Sequence, residues 1–347
     1  MADAHVGVRR RGRWLSLVGG AIGLAAVAWI LARLDYNQLR TIVADADPRY
    51  LALVLLAILS EQLVRVWKWR QILRPLRSIG TLRLFGAIMA GYLASLLVPL
   101  GLSPLVRAWL VARLETLTMS AVLASVAIDR LIDGIVFAGL VLFVVLLAAV
   151  PDPDGQIRPG LIVGATGSLG AIIVTLVLLW RHKRTAAQES GWVLRVAGWL
   201  PRRFAARARA LAISFADGIV WPTELWRRTA IVASSVVIKL IAASHSLWAG
   251  LAFGVQLYPF AYLVLLAILG FIVILAHVAR VPGGFIVGAV FALSLFGVGE
   301  ERAVAMVTVV VASNLLAIGA VGTFTLWRHG VALGELRIRE VPGDGPG

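Results

Sequence analysis

The chain has 347 residues, 60% of them hydrophobic, and its mean hydropathy is +0.90. Soluble domains are about 45–50% apolar, so this composition excludes an ordinary soluble protein and predicts an all-α, polytopic membrane protein. The net charge is +15, but the basic residues gather in loops beside apolar runs. That distribution is the positive-inside pattern of membrane proteins rather than the basic surface of a nucleic-acid-binding protein.

The first part of the chain predicts two spans. Residues 1–13 form a basic N-terminus, and the apolar run 14–34 is longer than the core of a signal peptide, so it predicts an uncleaved span that starts in the cytoplasm. The loop 35–49 is not basic and suits the outside. A second span, 50–69, ends in a basic cluster that favours the cytoplasmic side. The cluster consists of Arg65, Lys68, Arg70, Arg74, Arg77 and Arg83.

The next apolar stretch is broken in its middle. Its two parts, 84–98 and 104–118, hold fifteen residues each. That length gives about 22 Å of helix, which is short for a membrane core of about 30 Å. The break contains residues that interrupt helices, namely Pro99, Gly101 and Pro104. We therefore predict a re-entrant helical hairpin that enters from the cytoplasm and returns to it.

Three predicted spans and a basic segment follow. Helix 119–150 crosses outward, the turn-rich loop 151–160 suits the outside, and 161–180 returns. Segment 181–228 holds ten basic and three acidic residues, with tryptophan and leucine between them. It forms either amphipathic helices that bind anionic lipids of the inner leaflet or a solvated basic loop. Span 229–253 then crosses outward.

A second broken region occupies the last third of the chain. Apolar segments 258–281 and 285–298 flank the break, and a long apolar helix is predicted over 301–327. The break again consists of residues that interrupt helices, namely Pro282, Gly283 and Gly284. The pattern predicts a second re-entrant hairpin.

The two broken regions align as an internal repeat. Pro99 lies 31 residues before Arg130, and Pro282 lies 32 residues before Asn314. Paired broken helices in two halves of a chain are typical of transporters built from inverted repeats. Basic residues follow the last helix, and the positive-inside rule places them in the cytoplasm if the second hairpin enters from outside. We therefore predict six full spans, two opposed hairpins, cytoplasmic termini and a disordered tail at 329–347.

Charged residues in the first broken region are candidates for a substrate site, because ionisable side chains at membrane depth are costly and commonly functional. Arg107 lies in the first turn after Pro104, where an arginine and free backbone N–H groups suit a phosphate. The alternative is an interfacial arginine that extends to water. Asp129 and Asp133 are four residues apart and share a helix face, with Arg130 between them. These three form part of the site or a structural ion pair near the headgroups.

Further polar positions join the candidates. Arg280 lies just before the second break, and Asn314 is the repeat partner of Arg130. Glu61 and Arg65 are four apart, in the order that favours an intrahelical ion pair, and this predicts a positioning role. The chain has no cysteine, which excludes disulfides and thiolate metal sites. No nucleophile or metal cluster accompanies the carboxylates, so we expect no catalysis, metal or cofactor.

Three stretches are together similar to a known family. They are Arg65-x-Trp67-x-Trp69-Arg70-x-x-Leu73 with Gly91-Tyr92 and Pro99; Val106-Arg107-Ala108 with 124–134; and Pro282-Gly283-Gly284 with Phe296-Gly297-Val298. In this order and spacing they resemble the flippase-like transmembrane domain of lysylphosphatidylglycerol synthases and its stand-alone relatives. The resemblance covers 15–330, so we assign 14–328 to one flippase-like domain. The chain departs from the family pattern at Ser103-Pro104, where a Gly-acidic pair is usual, and at 286–289, where Gly-x-Arg-Glu is usual.

The resemblance implies a cell-membrane protein that handles lipids or other amphiphiles. The full synthase also has a cytoplasmic aminoacyl-transfer domain, and this chain ends soon after its last span, so we expect translocation without an enzymatic step. The expected substrate is an anionic phospholipid or a polyprenyl-phosphate-linked intermediate, bound by Arg107, Arg130 and Arg280. A small-solute or ion transporter, and a non-transporting subunit of an envelope-polymer synthesis system, stay open as alternatives. The sequence does not indicate an oligomeric state.

Overall fold

The computed structural model describes residues 25, 28–97, 103–186, 215, 218–279 and 284–328. Over these residues the chain is helical, with turns between helices and no strand. The predicted all-α class is confirmed. The predicted N-terminus 1–13, most of the first span 14–34 and the tail 329–347 lie outside the described residues.

The helices are numbered here in chain order from the first that has defined bounds. They are α1 Tyr36–Ala44, α2 Pro48–Leu73, α3 Thr81–Leu97, α4 Ser103–Glu115, α5 Met119–Leu147, α6 Ile157–Ala186, α7 Leu225–Ala252, α8 Pro259–Ala279, α9 Gly284–Ser294 and α10 Glu300–Arg328. Five of them, α2, α5, α6, α7 and α10, are long and apolar enough to cross a membrane. They coincide with five of the six predicted full spans, so the chain is a multi-pass membrane protein.

The remaining apolar helices form two packed pairs. Helix α3 packs against α4, and α8 packs against α9. The helices of the first pair have 17 and 13 residues, and those of the second have 21 and 11. These pairs occupy the positions of the two predicted hairpins. Their re-entrant course and their inverted relation stay predictions.

The predicted helix breaks fall partly on these helices. Pro104 is the second residue of α4, where proline is tolerated because the first-turn N–H groups have no intrahelical acceptor. Gly284 is the first residue of α9. Pro99, Gly101, Pro282 and Gly283 lie outside the described residues.

Two segments outside the predicted spans are partly helical. The segment 35–49 contains α1, which begins because the Asp35 carboxylate accepts hydrogen bonds from the backbone N–H groups of Asn37 and Gln38. Helix α6 continues six residues beyond the predicted end at 180, so the start of the basic segment 181–228 is helical. Most of that segment, 187–214 and 216–217, lies outside the described residues. Its predicted contact with anionic lipids stays a prediction.

The loop before α6 contains a second capping carboxylate, Asp152. It accepts hydrogen bonds from the backbone N–H groups of Ile157 at 2.8 Å and Arg158 at 3.0 Å. Desolvation, which raises the pKa of Asp152, is outweighed by these hydrogen bonds, and the pKa lies below its ordinary value. The first turn of α6 is therefore stabilised by an ionised carboxylate.

The chain divides into two compact units. The first unit comprises Met1–Ile58, Phe137–Gly167 and Lys239–Ser313, and the second comprises Leu59–Val136, Ser168–Ile238 and Asn314–Gly347. The pair α8 and α9 belongs to the first unit, and the pair α3 and α4 belongs to the second. Each unit thus contains one pair of short helices.

Aromatic rings packed on glycines organise the first unit. The rings of Phe137 and Phe271 are 5.7 Å apart. A Cβ atom at Gly270 would lie 2.1 Å from the Phe137 ring, and one at Gly164 would lie 2.6 Å from the Phe271 ring. Both rings therefore occupy space that only glycine leaves open, which is the close helix packing expected of small residues in membranes.

The second unit has a continuous apolar core built from α2 to α5, with contributions from α7 and α10. Its fully buried members include Trp69, Ile72, Leu84, Ile88 and Leu110. The indole N–H of Trp69 donates to the hydroxyl of Ser125 at 3.1 Å. This bond satisfies a polar group in a core that water does not reach.

Ser125→Ala is expected to lower the free energy of unfolding by about 1–3 kcal/mol, because the buried indole N–H of Trp69 loses its acceptor. Thermal unfolding of the purified protein in detergent measures the change. Ser244→Ala is the matched control, since the Ser244 hydroxyl donates only within its own helix, to the carbonyl of Ile241. Equal losses for the two variants would contradict the role of the indole bond.

Candidate functional site

Six charged side chains of the second unit form a continuous series of ion pairs, here called the charge chain. Negative and positive members alternate along it. In order they are Glu61, Arg65, Asp133, Lys68, Asp129 and Arg107, joined at 2.6, 3.2, 2.5, 2.8 and 3.2 Å. All six residues are at most 8% exposed. The chain holds three positive and three negative side chains, so its formal charge is zero.

Helical spacing brings these residues together from three helices. On α2, Glu61, Arg65 and Lys68 are separated by four and three residues, so they lie on one face. On α5, Asp129 and Asp133 are four apart and share a face. Helix α4 supplies the last member of the charge chain, an arginine.

Lys68 occupies the middle of the charge chain and is fully buried. Its ammonium lies 2.8 Å from Asp129 Oδ1 and 2.5 Å from Asp133 Oδ1, and it donates to the hydroxyl of Ser235 at 3.1 Å. An ammonium has three donors, and they are received by Asp133 Oδ1, by the Ser235 hydroxyl and by the backbone carbonyl oxygen of Asp129, the last at 3.4 Å. A buried cation that lacked such partners would be strongly unfavourable.

Arg107 forms the end of the charge chain and is also fully buried. Its Nη2 donates to Asp129 Oδ2 at 3.2 Å, and its guanidinium lies 4.9 Å from the centre of the Trp69 ring. Its Nε and Nη1 atoms have no hydrogen-bond partner among the described residues. A guanidinium has five donors in a planar fork that suits carboxylate and phosphate oxygens. Arg107 therefore keeps donor capacity that an anion can use.

Close packing of α3 and α4 holds this arginine in place. A Cβ atom at Gly91 would lie 2.9 Å from the Ser103 carbonyl oxygen and 3.3 Å from Arg107 Cβ. The backbone N–H of Ser103 donates to the hydroxyl of Ser95 at 2.8 Å. One N–H group at the start of α4 is thus satisfied by α3, and the glycine permits the short distance between the two helices.

The structure brings together three of the six site residues predicted from sequence, namely Arg107, Asp129 and Asp133. Arg130 is exposed, since it follows Asp129 directly and so lies on another side of α5. Asn314 is partly buried on α10. Arg280 lies outside the described residues. The roles of these last three in substrate binding stay predictions.

The other three members of the charge chain, and Ser235 beside it, do not belong to the predicted substrate site. The predicted intrahelical pair of Glu61 and Arg65 is confirmed, and Arg65 also donates to Asp133. The sequence places Lys68 in the basic cytoplasmic flank of α2, but in the structure it is buried at the centre of the charge chain. Its spacing of three from Arg65 was the signal that could have placed it on the same helix face. Ser235, one of many serines on apolar helices, gave no distinguishing signal.

The model of one protein family, described as the lysylphosphatidylglycerol synthase TM region, matches residues 16–322. The chain belongs to this family. The matched residues include all six members of the charge chain and both pairs of short helices. No curated protein and no solved structure gives a significant match. The resemblance inferred from the three sequence stretches is therefore confirmed at the level of the family.

Within the lysylphosphatidylglycerol synthase TM region, the charge chain lies among apolar helices. Its six ionisable side chains come from helices α2, α4 and α5, of which α2 and α5 are long enough to cross a membrane. Charge that is retained in such helices is costly and needs a structural or functional reason. The unused donors of Arg107 make ligand binding the reason that the geometry favours.

Proposed function

We propose that this domain is a flippase-type carrier that moves the anionic headgroup of a phospholipid, or of a polyprenyl-phosphate-linked intermediate, across the cell membrane. The observation that carries the proposal is the fully buried guanidinium of Arg107, whose Nε and Nη1 atoms have no described hydrogen-bond partner. A phosphate oxygen is the acceptor that best fits this fork. Both termini lie in the cytoplasm in this proposal, and membrane lipids are the partners.

Asp129 acts as the internal counter-ion of the empty carrier. It is shared by Arg107 and Lys68, which approach it from different helices. A phosphate that enters this site competes with the Asp129 carboxylate for Arg107, because both are anions of similar geometry. Acyl chains stay in the lipid phase, so the site needs to hold only the headgroup.

The proposed activity is translocation and includes no group transfer. The carboxylates of the charge chain are engaged by cations, at distances of 2.5–3.2 Å. They orient the three cations of the charge chain, of which Arg107 binds the headgroup. In this role they act as positioning groups, and the substrate leaves the domain chemically unchanged.

Removal of Arg107 tests the proposal. In proteoliposomes with a fluorescent phosphatidylglycerol, Arg107→Ala is expected to reduce the rate of headgroup translocation by about 10–100-fold, since a hydrogen bond to a charged group is worth about 1.5–3 kcal/mol. Arg107→Lys keeps the charge but loses the planar fork, and an intermediate rate is expected. Loss of fluorescence on addition of an impermeant quencher measures the rate.

Arg113→Ala is the matched control, because Arg113 lies on the same helix and is exposed. This variant should translocate phosphatidylglycerol at the wild-type rate. Thermal unfolding of each variant in detergent separates lost transport from lost folding. A folded Arg107→Ala variant that transports at the wild-type rate would show that Arg107 is not part of the substrate site. A wild-type protein without transport would refute the carrier function.

A further inference from the structure

The charge chain is balanced when the domain is empty, and an added anion disturbs this balance at one position. Three cations and three carboxylates alternate along the chain. A phosphodiester carries one negative charge, and its arrival at Arg107 leaves the buried cluster with one negative charge in excess. Buried charge without a partner is strongly unfavourable, and an ionisable group commonly responds by becoming neutral.

We infer that Asp129 takes up a proton when a phosphodiester binds to Arg107, so that binding of the anion is coupled to binding of a proton. This inference rests on the proposed function and identifies the proton-binding group within the same site. The proton adds to a carboxylate oxygen of Asp129 and gives a neutral carboxylic acid. The cluster of ligand, charge chain and proton then has a formal charge of zero.

The pairing geometry selects Asp129 among the three carboxylates. Asp129 is the neighbour of Arg107, at 3.2 Å, and it shares Lys68 with Asp133. Asp133 keeps both Arg65 and Lys68 when an anion occupies Arg107, and Glu61 keeps Arg65. Asp129 is therefore the carboxylate whose pairing the ligand weakens.

The surroundings of Asp129 contain further groups that set its charge. Helix α2 presents Lys68 and Arg65, and α4 presents Arg107. Helix α5 itself carries Asp133 and the exposed Arg130. Helix α3 contributes Tyr92, which interacts electrostatically with Arg107, and α7 contributes Ser235, the third acceptor of Lys68. Once the phosphodiester has engaged Arg107, Lys68 is the closest described cation left to Asp129, and it is shared with a second carboxylate.

Coupling between proton binding and anion binding predicts how the affinity for the anion changes with pH. If one proton is taken up for each anion bound, the affinity for the anion falls as the pH rises, by about tenfold per pH unit at the limit. Phosphatidylglycerol is the suitable probe, because its phosphodiester does not titrate between pH 5 and 8. Any proton taken up in that pH range is therefore bound by the protein and not by the lipid.

The experiment measures binding of dicaproyl-phosphatidylglycerol to the purified full chain in detergent, together with proton uptake in weakly buffered solution. We expect about one proton per lipid bound and an affinity that falls from pH 5 to pH 8. Asp129→Asn should bind the lipid without proton uptake and with little dependence on pH. Dimethyl phosphate, which has the same charged group without acyl chains, should also cause uptake, and neutral dicaproylglycerol should cause none.

Glu115→Gln is the matched control, since Glu115 is also a buried carboxylate that two arginines contact, Arg77 and Arg83, outside the charge chain. It should keep the wild-type proton uptake. Lipid binding by the wild type without proton uptake would overturn the inference and leave the carrier function intact. Proton uptake that persists in Asp129→Asn would also overturn it. Absence of binding by the wild type would refute both the inference and the anion site.

Discussion

Lys68→Met is expected to lower the free energy of unfolding of the domain by about 3–5 kcal/mol, because it leaves two buried carboxylates without the cation that they share. The ammonium of Lys68 lies within 2.8 Å of an oxygen of both Asp129 and Asp133, and the residue is fully buried. Methionine fills a similar volume, so the loss comes from charge rather than from a cavity. Thermal or denaturant unfolding in detergent, followed by circular dichroism, measures it.

Two further variants isolate the electrostatic cause. Lys68→Met combined with Asp133→Asn removes one charge of each sign, and this double variant should be more stable than Lys68→Met alone. Arg83→Met is the exposed control, since the Arg83 side chain is 61% exposed and pairs with Glu115, which Arg77 also contacts. Its cost should stay within about 1 kcal/mol. A Lys68→Met variant as stable as Arg83→Met would show that the charge chain does not hold the second unit together.

Gly218→Ala is expected to destabilise the protein by about 1–3 kcal/mol or more, because the added methyl group has no space. A Cβ atom at Gly218 would lie 2.4 Å from the Cα atom and 2.5 Å from the carbonyl oxygen of Ala121. These are backbone atoms of α5, so no side-chain rotation relieves the contact. The approach brings the segment before α7 against the first turn of α5. The midpoint of thermal unfolding in detergent should fall accordingly.

Gly170→Ala provides the comparison for this substitution within the same unit. Gly170 lies in α6, and a Cβ atom there would meet nothing within 4 Å. Alanine is favoured over glycine in a helix by about 1 kcal/mol, so this variant should be as stable as the wild type or slightly more stable. Chain entropy favours alanine at both positions, so an equal loss of stability in the two variants would contradict the role of the contact with Ala121.

The long apolar helices could be predicted from the sequence because the membrane sets their length and composition. Predicted spans 50–69, 119–150, 229–253 and 301–327 each fall on a long helix, with ends that differ by a few residues. The nine-residue helix α1 is not predicted, because it begins at a local cap, Asp35, and has no buried residue. Hydropathy carries no information on such a local cap.

The site could be predicted only in part, because a list of charged residues does not show which of them face inward. Asp129 and Asp133 were placed on one face by their spacing, and both contact Lys68. Lys68 itself belongs to a run of basic residues that ends a span. The positive-inside rule assigns every residue of such a run to the cytoplasmic side and does not distinguish an exposed lysine from a buried one. Only the opposing helix, with its two carboxylates, distinguishes Lys68 from the exposed Arg74 and Arg77 nearby.

The balance of the charge chain also determines how the domain responds to the membrane potential. A single charge that crosses the full field changes in energy by about 2.3 kcal/mol per 100 mV. The three cations and three carboxylates sum to zero, so a rearrangement that moves all six together carries no net charge through the field. For the proposed carrier, we therefore expect the voltage to do no work on that step, and the empty domain to reset at the same rate in energised and de-energised membranes.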